Sequence, residues 1–254
     1  MKCVVALLLF GCLCLVFSYG YVSQEIFERS KHIWNKLILT HHWPVTVCKM
    51  NNSLCKDPPT VWTLHGLWPG KANMCNKSWP FKINEIQDLL PEMIHLWPDI
   101  LHPNASQLWK HEWLKHGTCA AKLDCMNSEH KYFSKALELY KKYDLNGALV
   151  KFGIVPSTSY YQMKDIKAAI MKTYGVMPKI QCLPPDCGQS PQILGQIEIC
   201  FTKEFELRNC TEGESKSHHF LKDTPVDCSL KQEDFCVCND TLKTYYPPVN
   251  QTWN

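Results

Sequence analysis

The sequence predicts an exported, disulfide-bonded protein of the α+β class. Three features support this prediction: an apolar leader at the N-terminus, an even number of cysteines after it, and strand-like and helix-like segments in irregular order. A regular alternation of strand and helix would instead favour a parallel α/β sheet. Residues 21–254 are long enough to bury one sizeable core, so we expect a single domain there.

Residues 1–20 have the pattern of a signal peptide. A short basic start precedes an apolar run that ends at Phe17, and Ser18 and Gly20 place small residues at positions −3 and −1 of a cleavage site. A membrane anchor needs about 20 apolar residues, more than this run provides. We therefore expect cleavage after Gly20 and no membrane anchor, with an uncleaved signal anchor as the alternative.

The cysteine pattern agrees with export. Three of the 15 cysteines lie in the leader, and the 12 that follow form an even number, which indicates disulfides in an exported chain. Zinc is the alternative, because Cys236 and Cys238 form one close pair and Cys182 and Cys187 form another. Neither pair has the two-residue spacing of a zinc knuckle, so we prefer disulfides and expect no metal site.

Six Asn-x-Ser/Thr sequons indicate a glycosylated surface on a chain that enters the endoplasmic reticulum. One or two such triplets would mean little, because they arise by chance. The acceptor residues are Asn51, Asn76, Asn104, Asn209, Asn239 and Asn250.

The net charge does not indicate a protein that binds polyanions through bulk charge. The 27 Lys and Arg residues include Lys2 in the leader, so the mature chain has 26 basic against 24 acidic residues, a formal net charge of +2. Any binding of a polyanion must therefore come from a few local cations and from aromatic side chains.

Strand-like patterns are short and widely separated. Mixed apolar and polar residues over 34–47 and a run over 61–67 predict two strands, the second ended by Pro69 and Gly70. Residues 192–202 and a segment near Val237 predict later strands.

Helical patterns lie mostly between the strands. Asp165 is the expected N-cap of the last predicted helix, and Gly175 stands just past its end. The polar stretch 211–227, which holds His218 and His219, is predicted to be a long loop. The predicted helices cover residues 82–90 before Pro91, 106–116 before Gly117, 129–143 and 165–174.

The segment KHEWLKHG at 110–117 has the highest density of reactive side chains. In a helix, Glu112 lies four residues from His116 and three from Lys115, so a carboxylate, an ammonium and an imidazole share one face. His111 lies four residues before Lys115 and borders the same patch. A solvated charged face is the alternative, but two tryptophans and a following cysteine indicate that the helix is packed against the core.

Spacing argues against a zinc-protease helix at this segment. The histidines of such a helix are four residues apart, whereas His111 and His116 are five apart. Five residues correspond to about 140° around an α-helix at roughly 100° per residue, so both side chains could not easily bind one ion.

The second candidate segment is WTLHGLWP at 62–69. A lone histidine in a strand is more often structural than catalytic, and it is the neighbours of His65 that single it out. Gly66 gives room for a close ligand, and Trp68 offers a flat face on which a base can stack. On a period of two, His65 and Trp68 point to opposite faces, so they meet only if the chain bends at 67–69.

WTLHGLWP and HEWLKHGTC at 111–119 resemble the two active-site segments of the ribonuclease T2 family. HHWPVTVC at 41–48, PKIQCLPP at 178–185, GQIEICFTK at 195–203 and VCNDTLKTYYPP at 237–248 fit the family as well. The resemblance therefore covers essentially the whole mature chain, and it is closest to animal members. It implies a central antiparallel β-sheet flanked by helices.

The resemblance also implies a role for each candidate residue. His65 resembles the general acid that protonates the departing 5′-oxygen, and His116 the general base that takes the 2′ proton. Glu112 and Lys115 match residues that stabilise the pentacovalent transition state. The two substrate-binding positions are His111, which matches a phosphate-binding histidine, and Trp68, which matches an aromatic residue that stacks on a base.

Four disulfides are implied by the same resemblance. The pairs are Cys48–Cys55, Cys75–Cys119, Cys182–Cys238 and Cys200–Cys210. Four further cysteines depart from the family pattern, and two extra bridges with unassigned partners are one interpretation of them. These cysteines are Cys125, Cys187, Cys228 and Cys236.

We therefore expect an acid endoribonuclease that needs no metal or cofactor. It would cut single-stranded RNA to 2′,3′-cyclic phosphates and then 3′-phosphates, as a monomer that is secreted or lies in the lysosomal lumen. One alternative is a secreted binding or signalling protein that keeps the fold, which the presence of both His65 and His116 makes harder to accept. Another is a carbohydrate-binding or defence protein, which has no need for the cluster at 112–116.

Overall fold

The structure is a computed structural model that describes part of the chain: residues 34–51, 55, 57–103, 105–185, 191–211 and 235–250. Several predictions concern residues outside these ranges. They are the signal peptide, the acceptor Asn104, the partners of Cys187 and Cys228, and almost all of the loop predicted over 211–227, with His218 and His219.

The described strands form one mixed β-sheet, with helices packed against it, which confirms the α+β prediction. The strands are β1 (Leu37–His42), β2 (Thr63–Pro69), β3 (Tyr160–Gln162), β4 (Lys179–Leu183), β5 (Gln192–Phe201), β6 (Leu207–Arg208), β7 (Cys236–Val237) and β8 (Lys243–Tyr245). The central path β2-β1-β5-β4-β7 is antiparallel throughout, as expected. Off this path, β8 runs parallel to β5 and makes the sheet mixed.

Helices fill most of the connections between these strands. None of those in the described ranges is both long enough and apolar enough to cross a membrane. They are α1 (Pro44–Met50), a 3₁₀ helix (Ile83–Leu89), α2 (Leu90–Leu96), α3 (Gln107–Glu112), a π-helical turn (Trp113–Gly117), α4 (Thr118–Ala120), a 3₁₀ turn (Asp124–Met126), α5 (Glu129–Lys142), α6 (Leu145–Val150) and α7 (Met163–Tyr174). We call the continuous stretch from α3 through the π-helical turn to α4 the site helix.

The strand predictions hold in part. The strand predicted over 34–47 is wrong in its second half, because β1 ends at His42 and α1 begins at Pro44. Proline suits a first helical turn, since its fixed φ is already helical and its missing N–H would have no partner there. The strands predicted over 192–202 and near Val237 are confirmed, and the one predicted over 61–67 extends to Pro69.

The helix boundaries show two wrong predictions. Pro91 does not end a helix but stands in the first turn of α2. Asp165 is not the N-cap of α7: Gln162 is, and Asp165 lies inside the first turn, where a negative charge interacts favourably with the helix dipole. Gly175 follows the last turn with a φ of 75°, a left-handed conformation that glycine adopts without strain.

The sheet has an apolar face and a polar face. Leu37 and Leu39 of β1 pack in the hydrophobic core beneath the helices. Thr40 and His42 alternate with these leucines, so they belong to the opposite face, where they pair with Glu198 and Gln196 of β5. The candidate residue His65 lies on this polar face.

The covalent framework matches the four pairs implied by the resemblance. Cys48–Cys55, Cys75–Cys119, Cys182–Cys238 and Cys200–Cys210 are disulfides in the structure. Cys125 and Cys236 are exposed and form no disulfide with another described residue. Among the described sequons, the asparagine is exposed at Asn51, Asn76, Asn239 and Asn250 and half-buried at Asn209.

Candidate active site

A β-bulge places His65 on the polar face. In the pairing of β1 with β2, Thr40 lies opposite Gly66 and the next residue, His41, lies opposite Leu64. His65 is therefore an extra residue without a partner, and it shifts the alternation of β2 by one position. His65 and Trp68 consequently share one face, and the bend expected at 67–69 is not what brings them together.

The bulge leaves His65 with specific partners. Its backbone carbonyl accepts a hydrogen bond of 2.8 Å from the Trp97 indole N–H, so the unpaired residue keeps no orphaned carbonyl. Its Nδ1 lies 2.8 Å from Oε1 of Gln196. Its ring stacks on His42 with 5.1 Å between centroids and 21° between planes. These contacts fix both the backbone and the imidazole ring.

The second group of reactive residues lies on the π-helical turn of the site helix. Gly117 was expected to end the helix, but the helix continues through it to Ala120. A Cβ on Gly117 would lie 2.2 Å from the Trp113 ring, so the glycine allows that ring to pack against the turn. The π-helical turn covers 113–117 and winds more widely than an α-helix, so the angle of about 140° estimated for His111 and His116 on a regular α-helix does not apply unchanged.

Two links attach this turn to the loop that follows β2. The Met74 N–H donates a hydrogen bond of 2.8 Å to the Lys115 carbonyl, and Cys75 is bonded to Cys119. The end of β2 and the site helix are therefore held as one unit, and His65 and His116 keep a fixed relation although 51 positions separate them in the sequence.

Trp68 connects the reactive groups. Its indole N–H donates a hydrogen bond of 2.7 Å to Oε2 of Glu112. Its ring stacks on His116, with 5.1 Å between centroids and 25° between planes, and meets the ring of His65 edge-on at 5.0 Å. Because His116 covers one face of the indole, only the other face remains for a substrate base.

Gly66 makes room for this arrangement. A Cβ at this position would lie 2.1 Å from both Oε2 of Glu112 and Nε1 of Trp68. The space that the sequence suggested for a ligand is therefore filled by the hydrogen bond between these two side chains. No residue with a side chain fits there without displacing one of them.

Burial and neighbouring cations keep both candidate histidines neutral over most of the pH range. Burial lowers the pKa of His65 to about 4, although the hydrogen bond to Gln196 opposes this effect. Burial also lowers the pKa of His116 to about 2, helped by the nearby charges of Lys115 and His111. Desolvation disfavours the charged imidazolium, so acidic conditions are needed to protonate either ring.

The carboxyl group of Glu112 is shifted in the opposite direction. Its side chain is 1% exposed, and burial raises its pKa to about 8, although the Trp68 N–H and the charge of Lys115 both favour the carboxylate. Lys115 and His111 are exposed on the same helix, and burial, followed by the Lys115 charge, lowers the pKa of His111. The site thus combines three imidazoles, a carboxyl group and a lysine ammonium.

The structure brings together four of the six site residues that the sequence singled out, while Lys115 and His111 are exposed on the site helix. His65, Trp68, Glu112 and His116 form one connected cluster. Gln196 was not predicted as part of the site, because its proximity to His65 depends on the pairing of β1 with β5 and on the bulge in β2. Within the described ranges, no group of three or more His, Cys, Asp or Glu side chains is arranged to hold a metal ion.

Comparisons with known proteins show which proteins this chain resembles. A model of the Ribonuclease T2 family matches residues 34–210. The chain is 48% identical to human Ribonuclease T2 over 96% of each chain, and 57% identical to pig Ribonuclease T2 over 71% of this chain and 91% of the relative. The crystal structure of human RNase T2 superposes with a TM-score of 0.72 at 49% identity, covering 85% of this chain and 99% of that one. RNase MC1 from bitter gourd seeds gives a TM-score of 0.63 at 30% identity, over 70% of this chain and 95% of that one.

We expect Gly66→Ala to break the hydrogen bond between Trp68 and Glu112, because the new methyl group overlaps both partner atoms. The measurement is the Trp68 indole N–H signal in ¹⁵N-edited NMR, which should move upfield as the bond is lost. Gly147→Ala is the control, since the new methyl group there would overlap Asp144 and touch neither Trp68 nor Glu112. An unchanged Trp68 signal in Gly66→Ala would show that the contact at Gly66 does not control this bond.

Proposed function

The chain belongs to the Ribonuclease T2 family, and we propose that it is an endoribonuclease that cuts single-stranded RNA without a metal ion or cofactor. The observation that carries the proposal is the contact of one indole, Trp68, with two imidazoles and a carboxyl group. Cleavage through the 2′-hydroxyl needs one proton removed and another delivered, and two imidazoles supply both transfers.

In the proposed first step, His116 takes the proton of the ribose 2′-hydroxyl. The 2′-oxygen then bonds to phosphorus, the bond from phosphorus to the 5′-oxygen breaks, and protonated His65 gives its proton to that oxygen. The product is a 2′,3′-cyclic phosphate. In a second step the roles reverse, as microscopic reversibility requires: His65 takes a proton from water, and the water oxygen bonds to phosphorus. The bond from phosphorus to the 2′-oxygen breaks, and His116 protonates that oxygen to leave a 3′-phosphate.

The remaining residues stabilise charge and bind substrate. Lys115 and His111 are exposed on the site helix, where their positive charge can offset the charge that develops on the phosphoryl oxygens. Glu112, held by Trp68, faces the same transition state. A neutral carboxyl group can donate a hydrogen bond to a phosphoryl oxygen, and burial favours that neutral form. Trp68 offers its uncovered face to a base.

The environment of Nδ1 in each ring indicates which nitrogen of His65 and of His116 exchanges a proton with the substrate. Nδ1 of His116 is buried and has no hydrogen-bond partner among the described residues, so we assign the proton transfer to Nε2. Nδ1 of His65 is engaged by Gln196, which leaves Nε2 for the substrate. Both reactive nitrogens are then the ring atoms farthest from the backbone.

The setting proposed for this activity is an acidic compartment reached through the secretory pathway. The four disulfides fit an oxidising environment, and the lowered pKa values of His65 and His116 fit acid conditions. We propose a signal peptide over 1–20, one catalytic domain over 21–254, glycosylation at exposed sequons, and a monomer that is secreted or delivered to lysosomes.

We expect wild-type protein to cut single-stranded RNA at acidic pH in the presence of EDTA, and His65→Ala and His116→Ala to lose at least about a thousandfold in kcat/KM. Each proton transfer contributes roughly a hundredfold to ten-thousandfold. His130→Ala is the matched control, because His130 is a surface histidine bonded to Asp88. The measurement is initial cleavage rate on a labelled oligonucleotide, with circular dichroism as the test of folding.

Three outcomes of this experiment would contradict the proposal. Intact RNA with wild-type protein would exclude the enzyme and favour a binding role. Loss of cleavage in EDTA would require a metal. Near-normal turnover by either histidine variant would show that the roles are wrong. A substrate with 2′-deoxyribose at the cleaved position should remain intact, because it lacks the attacking hydroxyl.

We expect a bell-shaped dependence of kcat/KM on pH with its maximum on the acidic side of neutrality. Activity needs neutral His116 and protonated His65, and the protonated fraction of His65 falls as pH rises through its pKa of about 4. A bound phosphate favours both imidazolium forms. The rising and falling limbs of the pH profile should therefore lie at higher pH for kcat than for kcat/KM.

Lys115→Gln should move both limbs to higher pH by about one unit, because the Lys115 charge lowers the pKa of both histidines. Lys110→Gln, which removes the same charge from the same helix, is the control. A profile with the same limbs in Lys115→Gln as in wild type would show that Lys115 does not act on the two imidazoles.

A further inference from the structure

Gln196 is a buried polar residue that the proposed chemistry does not yet use. It lies in β5, opposite His42 of β1 and Gln181 of β4. Its side chain is 4% exposed, and its Oε1 lies 2.8 Å from Nδ1 of His65. A buried amide of this kind is retained only with its hydrogen bonds satisfied, so its orientation is informative.

Two acceptors define which way the amide points. Nε2 of Gln196 donates to Oε1 of Gln181, and it lies 3.5 Å from Oε1 of Glu198. Burial raises the pKa of Glu198, although Lys179, 3.6 Å away, opposes this effect. If the Gln196 amide were rotated, its oxygen would face Oε1 of Gln181 and Oε1 of Glu198.

Oε1 of Gln196 must therefore accept a hydrogen bond, and the donor is the Nδ1–H of His65. We propose that Gln196 is a positioning residue that keeps the His65 imidazole protonated on Nδ1, so that Nε2 alone exchanges its proton with the substrate. This inference rests on the proposed role of His65 in RNA cleavage. The inference has a structural half, that Gln196 fixes the tautomer of His65, and this half does not depend on RNA cleavage.

The arrangement suits a group that must work as both acid and base. The Nδ1–H bond to Gln196 is the same whether Nε2 is protonated or not, so proton transfer at Nε2 requires no rearrangement of the ring. The Gln196 oxygen also stabilises the imidazolium, against burial and against the charges of His111 and Lys115. The other groups in contact with the ring are His42 from β1 and Trp68 from β2.

The first test is Gln196→Leu, which removes the acceptor but keeps a buried side chain of similar size. The tautomer and the pKa of His65 are measured by ¹⁵N NMR of histidine-labelled protein without substrate. We expect the Nδ1–H signature to be lost and the pKa of His65 to fall. On RNA we expect kcat about tenfold lower with little change in KM, and the high-pH limb of the profile about one unit lower.

Gln192→Leu is the matched control. Gln192 is a buried glutamine of the same strand, but its amide bonds to Asn239 and Thr244, which lie outside the site. It should lose stability as Gln196→Leu does, because both substitutions leave buried polar partners unpaired. It should leave the tautomer and the pKa of His65 unchanged.

A second variant keeps the proposal testable if Gln196→Leu does not fold. The double substitution Gln196→Glu with Glu198→Gln exchanges an amide and a carboxyl group and keeps their number. A carboxylate next to Nδ1–H stabilises the imidazolium more than an amide does, so the high-pH limb should move to higher pH than in wild type. Glu198→Gln alone controls for the loss of the carboxylate at that position.

The positioning role predicts that the high-pH limb moves to lower pH in Gln196→Leu and to higher pH in the double variant. Damage to the fold would not move this limb in opposite directions. An unchanged His65 tautomer in Gln196→Leu, or a limb that stays in place in the double variant, would overturn it. If wild-type protein does not cut RNA but the tautomer of His65 depends on Gln196, the proposed function fails and the structural half of this inference stands.

Discussion

The extra residue in β2 determines where the reactive groups of this site can lie. In an unbroken ladder, His65 would follow the alternation of Leu67 and point into the apolar core. The bulge opposite Thr40 and His41 turns it to the polar face instead, where it meets Trp68 and Gln196. A bulge costs one ladder hydrogen bond, and the Trp97 indole N–H satisfies the carbonyl that it releases.

The site helix supplies the other half of the site through a second local irregularity. Its π-helical turn is possible because Gly117 lets the Trp113 ring pack against the backbone, and a disulfide and a backbone hydrogen bond attach that turn to the loop after β2. Both irregularities meet at Trp68, whose N–H bonds to Glu112 across Gly66. The burial that this packing produces lowers the pKa of both histidines and raises that of Glu112. The acid preference proposed for the enzyme is thus a consequence of packing.

Local patterns in the sequence identified the α+β class, the reactive side chains and most helices and strands, because period and turn chemistry are properties of neighbouring residues. They could not identify the bulge, since the register of β2 depends on β1, which lies about 25 residues earlier. Gly117 was predicted to end a helix because glycine often does so. Its place inside the site helix depends instead on the packing of the Trp113 ring, which local sequence does not reveal. Gln196 was missed for the same reason: its distance to His65 is set by strand pairing. The resemblance to a family supplied what spacing could not, namely which imidazole acts as acid.

A crystal structure with a non-cleavable dinucleotide, carrying 2′-fluoro ribose at the cleaved position, would show whether the two imidazoles flank the reacting phosphate. We expect the phosphate to lie between them, with Nε2 of His65 within about 3 Å of the 5′-oxygen and Nε2 of His116 within about 3 Å of the 2′ position. A phosphate bound elsewhere on the polar face, or in contact with only one of the two histidines, would contradict this expectation.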